Sequence, residues 1–166
     1  MKTLLQNILR FLILLLVQVL VIDQLQLSIY CRPALYVYFF IALPVSIPRW
    51  AELFIGFFVG LTLDSFANTL GINMAASLLI CYIRPLLIKA MISDENIVPG
   101  FAPSLRTFGT SLYIRFVSIL VIIQHLLLFS IEAFSLVGWW NTLLRIIISS
   151  AVCIGIILII EKMRKK

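Results

Sequence analysis

The side chains of this sequence that could do chemistry are few, and most of them interrupt long apolar runs. His125 and Glu132 are seven residues apart, a spacing that places them on one face of a helix. Neither a second histidine nor a cysteine at ligand spacing accompanies His125, so we interpret it as a packed, hydrogen-bonding residue and not as a metal ligand. The cysteines Cys31, Cys81 and Cys153 are too widely spaced to indicate a disulfide framework or a metal site.

Catalytic constellations are also missing from the sequence. It contains no nucleophile beside a base, no glycine-rich phosphate loop and no pair of carboxylates at a working distance. We therefore expect no enzyme activity, no cofactor and no metal.

The elements that carry these side chains belong to a membrane protein. Hydrophobic residues make up 63% of the chain and charged residues 12%, against about 25% charged residues in an ordinary soluble domain. The net charge of +6 comes from basic residues that flank apolar blocks. This is the positive-inside pattern of membrane proteins, and it argues against nucleic-acid binding.

The apolar blocks predict an all-α, polytopic membrane bundle that forms a single domain over residues 1–166. A span needs about 20 apolar residues, and the blocks predict about six transmembrane helices. Their expected ranges are 4–22, 33–47, 50–67, 71–91, 108–131 and 137–160. The first lacks a signal-peptide cleavage site and is expected to be retained. The second is short and contains Pro44, so the count falls by one if it fails to span.

Basic residues predict the orientation. With the N-terminus in the cytoplasm, every lysine and arginine except Arg32 and Arg145 falls on the cytoplasmic side. Both termini are therefore expected to be cytoplasmic. Arg84 and Arg115 lie near the inner ends of their helices, where we expect their side chains to snorkel into the interface.

The segment GLTLDSFANTLG, residues 60–71, carries the densest polar pattern. Steps of four residues backward from its aspartate define one helical stripe, which consists of Asp64, Gly60, Gly56 and Glu52. Paired small residues let helix backbones approach closely, so the stripe is expected to face protein. Asn68 and Thr69 are expected to accept hydrogen bonds at the start of the following helix, and Gly71 permits a tight turn.

Two interpretations of Asp64 remain open: it caps the turn or the next helix, or it contacts a buried cation. For the second, our hypothesis is an ion pair with Arg145, with Glu132 as the rival partner of that arginine, because an unpaired charge near the bilayer centre is costly. Ala151 and Gly155 form a second small-residue pair, which predicts helix packing.

These residues also carry a family resemblance. The stretch IPRW, followed by GFFVGLTLDSFANTLGINMAASLLICYIRP, resembles the MreD family of rod shape-determining proteins in the form typical of Bacteroidota. The resemblance covers the chain in length, helix order and loop size, and its specific part lies within residues 47–85. The motif comprises the glycines before Asp64, the turn from Asn68 to Gly71, and the pair Arg84 and Pro85.

The resemblance implies a multi-pass protein of the bacterial inner membrane, surrounded by membrane lipid, that belongs to the cell-elongation (rod) complex. Proteins of this family bind the periplasmic scaffold protein MreC. Through it they link MreB filaments to the RodA glycosyltransferase and its transpeptidase partner, which build peptidoglycan and maintain cell shape. The resemblance also implies a bundle similar to the substrate-binding subunits of energy-coupling-factor transporters.

Those subunits supply the alternative function, a membrane subunit that binds a vitamin or another solute. They dock their coupling subunit through an Ala-x-x-x-Ala surface on the first helix. Here the corresponding helix reads TLLQNILRFLILLLVQVLVI and contains neither alanine nor glycine. This difference favours the scaffold.

Overall fold

Five helices are described in the computed structural model, which covers residues 13–18, 31–69, 71–92, 102–133 and 139–165. Residues 13–18 are also helical, and the rest of the predicted first helix, 4–22, lies outside the described residues. The helices are α1 (Val37–Ile41), α2 (Arg49–Ala67), α3 (Ile72–Met91), α4 (Thr110–Ala133) and α5 (Trp139–Lys165).

Helices α2 to α5 are long and apolar enough to cross a membrane, and within the described part of the chain they are the four that meet both conditions. Their bounds lie within two residues of the predicted ones, except that α5 continues to Lys165 where we expected an end at 160. The predicted class, a helical membrane bundle, is confirmed.

The predicted second helix, 33–47, takes a different form. Only Val37–Ile41 is helical there, and Pro44 and Pro48 follow before α2 begins at Arg49. Proline lacks the backbone N–H that a continued helix needs, and it disfavours helical geometry in the residue before it. The region is nevertheless deeply buried, since Val37, Phe40 and Ile41 are fully buried.

Residues 31–43, which we call the crossing segment, run along α5 through the bundle. Their hydrogen bonds to α5 follow the order of its sequence: Arg32 to Ser149, Ala34 to Cys153 and Tyr38 to Glu161. The segment therefore passes from the middle of α5 towards its end, although its only helix has five residues.

Helices α2 and α3 form a tight antiparallel hairpin. The stripe of Glu52, Gly56, Gly60 and Asp64, which we now call the α2 stripe, is buried. At Gly60 a Cβ atom would lie 2.3 Å from the Met74 Cα of α3. At Gly56 it would lie 2.7 Å from the Cys81 Sγ. The turn uses two left-handed residues, Asn68 with φ of 54° and Gly71 with φ of 81°. Only glycine adopts such geometry at no steric cost, and asparagine tolerates it better than most residues.

The two ends of the bundle differ in charge. At the end where α2 and α4 begin and α3 and α5 finish, six basic side chains are exposed: Arg49, Lys89, Arg106, Arg115, Lys162 and Arg164. We call this the basic end and the other one the opposite end.

The second small-residue pair does not pack within the described part of the chain. Ala151 and Gly155 are exposed on α5, and a Cβ atom at Gly155 would meet nothing within 4 Å. No described helix packs against this pair, so the helix packing that the sequence predicts for it stays a prediction.

One substitution made at two glycines tests this difference. Gly60→Ala should lower the free energy of unfolding in detergent by about 1–3 kcal/mol, because the added methyl group meets the α3 backbone. Gly155→Ala is the matched control, and it should be neutral or raise stability by up to about 1 kcal/mol through its better helix propensity. Equal losses at both positions would contradict the close approach at Gly60.

Candidate functional site

The polar side chains inside the bundle converge on the crossing segment. Non-helical backbone at membrane depth is tolerated only where protein or water satisfies its N–H and C=O groups. Most of the crossing segment is non-helical, so its backbone needs partners from the surrounding helices.

Gln18 and His125 supply partners near Pro33. The Gln18 side chain accepts from the Leu35 N–H at 2.9 Å and donates to the Pro33 carbonyl at 3.3 Å. His125 Nε2 accepts from the Ala34 N–H at 3.2 Å. Its ring proton therefore lies on Nδ1, which donates to the Val121 carbonyl at 2.8 Å. His125 is a packed, hydrogen-bonding residue in the structure.

Helix α5 supplies two further partners. Ser149 Oγ accepts from the Arg32 N–H at 3.0 Å, and the Cys153 thiol donates to the Ala34 carbonyl at 3.6 Å. Both side chains are fully buried. They fix the crossing segment against the middle of α5.

A chain of hydrogen bonds joins four parts of the bundle through the Tyr36 hydroxyl. Gln124 Nε2 of α4 donates to Tyr36 Oη, which donates to Asn73 Oδ1 of α3 at 3.1 Å. Asn73 Nδ2 donates in turn to Asp64 Oδ1 of α2 at 3.1 Å. The order of donors is consistent from Gln124 to the Asp64 carboxylate, where the path ends, and the Gln124 side-chain carbonyl lies buried without a hydrogen-bond partner.

Asp64 caps helix α3. Its two carboxylate oxygens accept from the backbone N–H groups of Asn73 at 3.0 Å and of Met74 at 2.9 Å. Thr69 Oγ1 also donates to it. The N-cap residue of α3 is Gly71, which has no side chain to accept these bonds, so α2 provides the cap instead. A negative charge here also interacts favourably with the helix dipole.

The predicted ion pair between Asp64 and Arg145 is wrong. The Arg145 guanidinium lies 5.6 Å from the centre of the Phe129 ring, in a cation–π arrangement. The rival carboxylate, Glu132, pairs with Arg32 at 3.5 Å on the surface. Asp64 instead takes the capping role that the sequence left open.

The buried ion pair of the bundle joins Glu52 and Arg84. Arg84 Nη1 lies 2.7 Å from Glu52 Oε1, and both side chains are at most 3% exposed. Arg84 Nη2 donates to the Leu43 carbonyl, where the crossing segment ends. The expectation that Arg84 snorkels into the interface is therefore wrong, because its charge is compensated inside the bundle. Pro85 follows within α3.

The sequence contained a signal for this pair. Glu52 lies on the α2 stripe, which was expected to face protein, and a carboxylate that faces protein requires a cation. Arg84 was assigned to the interface because it lies near a helix end. Its position along the helix gives no information about which segment covers its side chain, and in the structure this is the crossing segment.

At the opposite end, a small polar cavity of about 40 Å³ is lined by residues that include Gln18, Tyr36 and Asn73. Among the described residues, no group of three or more His, Cys, Asp or Glu side chains is arranged to hold a metal ion. Searches with the chain match no protein-family model, no curated protein and no solved structure.

Removing one member of the Glu52–Arg84 pair should strongly destabilise the protein. Arg84→Met leaves the Glu52 carboxylate buried alone, and we expect a loss of roughly 3–5 kcal/mol in the free energy of unfolding. The double variant Glu52→Gln/Arg84→Met should recover part of this loss in a double-mutant cycle. Glu132→Gln, at the exposed pair with Arg32, is the control and should cost about 1 kcal/mol or less. Additive effects at Glu52 and Arg84 would contradict the pair.

The capping role of Asp64 makes a separate prediction. Asp64→Ala should lower stability by about 1–2 kcal/mol, because two backbone N–H groups of α3 lose their acceptor. Ser65→Ala, at an exposed neighbour, is the control. Combined with Arg145→Gln, the loss should be additive within about 0.5 kcal/mol. A larger coupling energy would indicate an ion pair between Asp64 and Arg145, which would contradict the structure.

Proposed function

We propose that this protein is an inner-membrane scaffold of the bacterial cell-elongation complex, a member of the MreD family without chemistry of its own. It binds an MreC-like periplasmic protein through its membrane-embedded surface. Through that partner it helps organise MreB filaments, RodA and the transpeptidase during peptidoglycan synthesis. The observation that carries the proposal is an exposed apolar face with small residues at its centre.

That face, which we call the α5 outer face, lies along one side of α5. Its members are all exposed: Leu144, Ile147, Ile148, Ala151, Gly155 and Ile159. Membrane helices associate through close packing and not through the hydrophobic effect, so small residues mark the positions where another helix can approach. The open space at Gly155 fits a partner helix.

The residues behind the family resemblance support the proposal in a second way. They build the α2–α3 hairpin: Gly60 allows the close approach, Asp64 caps α3, Asn68 and Gly71 form the turn, and Arg84 holds Glu52. In this proposal the motif maintains a rigid bundle that displays a binding face.

The polar groups of the bundle fit the same role. Gln18, His125 and Ser149 are bound to backbone groups of the crossing segment. Side chains that satisfy buried backbone are not available to a substrate. This supports a structural role.

Orientation belongs to the proposal as well. We place the basic end in the cytoplasm, because lysine and arginine accumulate on that side of membrane proteins. The crossing segment then carries the chain from the periplasmic to the cytoplasmic side before α2 begins. Together with a first span over residues 4–22, this gives six passes in about the predicted positions and two cytoplasmic termini.

The alternative function, a subunit that binds a vitamin or solute, requires a ligand site, and the cavity at the opposite end is the candidate for it. A water molecule needs about 10–15 Å³ of such volume, and small-molecule sites usually measure about 300–1,000 Å³. The cavity, with about 40 Å³, holds a few waters and not a vitamin. The scaffold is therefore the better-supported function.

Affinity purification in mild detergent tests the proposal. The wild-type protein should recover an MreC-like protein. Gly155→Leu fills the open space at the centre of the α5 outer face, and recovery should fall by about tenfold, which corresponds to a loss of about 1.4 kcal/mol in binding. Gly155→Ala keeps the position small and should retain the partner.

Thermal unfolding of the same preparations separates binding from folding. Gly155→Leu should unfold at the wild-type temperature because its side chain points into open space. Normal recovery with this variant would exclude the α5 outer face as the interface. Recovery of an ATPase coupling module in place of the MreC-like protein would overturn the scaffold and favour the transporter subunit.

A further inference from the structure

A cleft at the basic end has the properties of an anion site. It is lined by Ser104, Arg106, Glu161 and Arg164 and has a volume of about 110 Å³. A water-sized group needs about 10–15 Å³ of such volume. The cleft therefore has room for a phosphate group, and two guanidinium groups lie at its walls.

Arg164 is held in place on one wall of the cleft. Its Nη1 lies 3.5 Å from Glu161 Oε2, and Tyr38 Oη donates to the same oxygen at 2.6 Å. Glu161 is almost fully buried, whereas the Arg164 side chain is 43% exposed. The buried carboxylate thus orients an arginine whose head remains accessible from the cleft.

The other wall is a rigid turn before α4. Thr107 Oγ1 accepts from the Ser104 N–H at 2.9 Å and donates to the Ala102 carbonyl at 2.9 Å. The buried side chain of Leu105 anchors the turn in the core, and Arg106 beside it is exposed. Arg106 is therefore presented from a fixed backbone.

The surroundings of the cleft identify the source of the anion. Further exposed cations surround it at the basic end, among them Arg115 and Lys162. Met163, next to Arg164 on α5, has an apolar side chain that is 72% exposed. Phosphate contacts beside an exposed apolar surface suit an amphiphile, and basic pockets at the ends of membrane helices bind anionic lipid headgroups.

We propose that this cleft binds the phosphate of an anionic lipid headgroup, with Arg106 and Arg164 as its ligands. Each planar guanidinium can donate two parallel hydrogen bonds to phosphate oxygens. The acyl chains then extend along the apolar surface beside Met163. The site is independent of the protein partner proposed above.

Titration of the full-length protein with a short-chain phosphatidylglycerol tests the site, with bound lipid counted by native mass spectrometry. Arg106→Gln and Arg164→Gln should each weaken binding by about fivefold, the effect expected for one basic residue at an anionic headgroup. Arg164→Lys keeps the charge but loses the planar fork, so its loss should be intermediate.

Two controls remove the same charge at the same end but outside the cleft. Lys162→Gln lies two residues before Arg164, about 200° away around the helix, and Arg115→Gln lies on α4. Both should change affinity by less than about twofold, because neither side chain lines the cleft, and an exposed charge that makes no direct contact with the phosphate is screened by salt. Equal losses of lipid affinity in all four glutamine variants would show that general charge attraction, and not a site in the cleft, binds the lipid.

Two further titrations test the chemistry. Short-chain phosphatidylcholine should bind at least about fivefold more weakly than phosphatidylglycerol, because its headgroup carries no net negative charge. Inorganic phosphate should not displace the bound phosphatidylglycerol at millimolar concentration. Efficient displacement would show a site for free phosphate, and equal binding of both lipids would show that the cleft does not select an anionic headgroup. Either result overturns the proposal.

Discussion

The burial of non-helical backbone at the centre of an apolar bundle is the constraint on which the rest of this structure depends. The crossing segment contains one helix of five residues, and its other N–H and C=O groups lie where water is scarce. An unsatisfied backbone group in such a place costs several kcal/mol, about the size of a protein's whole stability. The polar side chains that might have suggested chemistry, above all Gln18 and His125, are the partners that this backbone requires.

The crossing segment makes polar contacts with the surrounding helices at two levels along the bundle axis. Towards the opposite end, Tyr36 lies between Gln124 of α4 and Asn73 of α3, which continues to the Asp64 cap. Towards the basic end, the Leu43 carbonyl binds Arg84, whose other contact is Glu52. The α2–α3 hairpin is therefore attached to the crossing segment by polar contacts at both ends, and by tight backbone packing at Gly60 between them.

Local patterns in the sequence predicted those features that are determined within one helix or one turn, such as helix positions and buried helix faces. Apolar run lengths located α2 to α5, and spacing by four residues predicted that the α2 stripe faces protein, which in the structure is α3. The partners of polar groups could not be predicted this way. Asp64 contacts a residue nine positions away, whereas Arg84 contacts residues 32 and 41 positions away. The contact with Leu43 depends on the path of the crossing segment, for which the hydropathy pattern predicted a transmembrane helix.

The geometry of α5 explains how one thin helix can serve two surfaces. Successive residues are about 100° apart around a helix, so Gly155 and Lys162 share one side while Arg164 lies nearly opposite. The outer face offers close approach without charge, and the cleft offers charge held by the buried Glu161. A protein helix on the first surface does not cover the second. If both surfaces act as we propose, the bundle binds a membrane partner and an anionic lipid at once, and the lipid positions the basic end against the membrane surface while the partner is held.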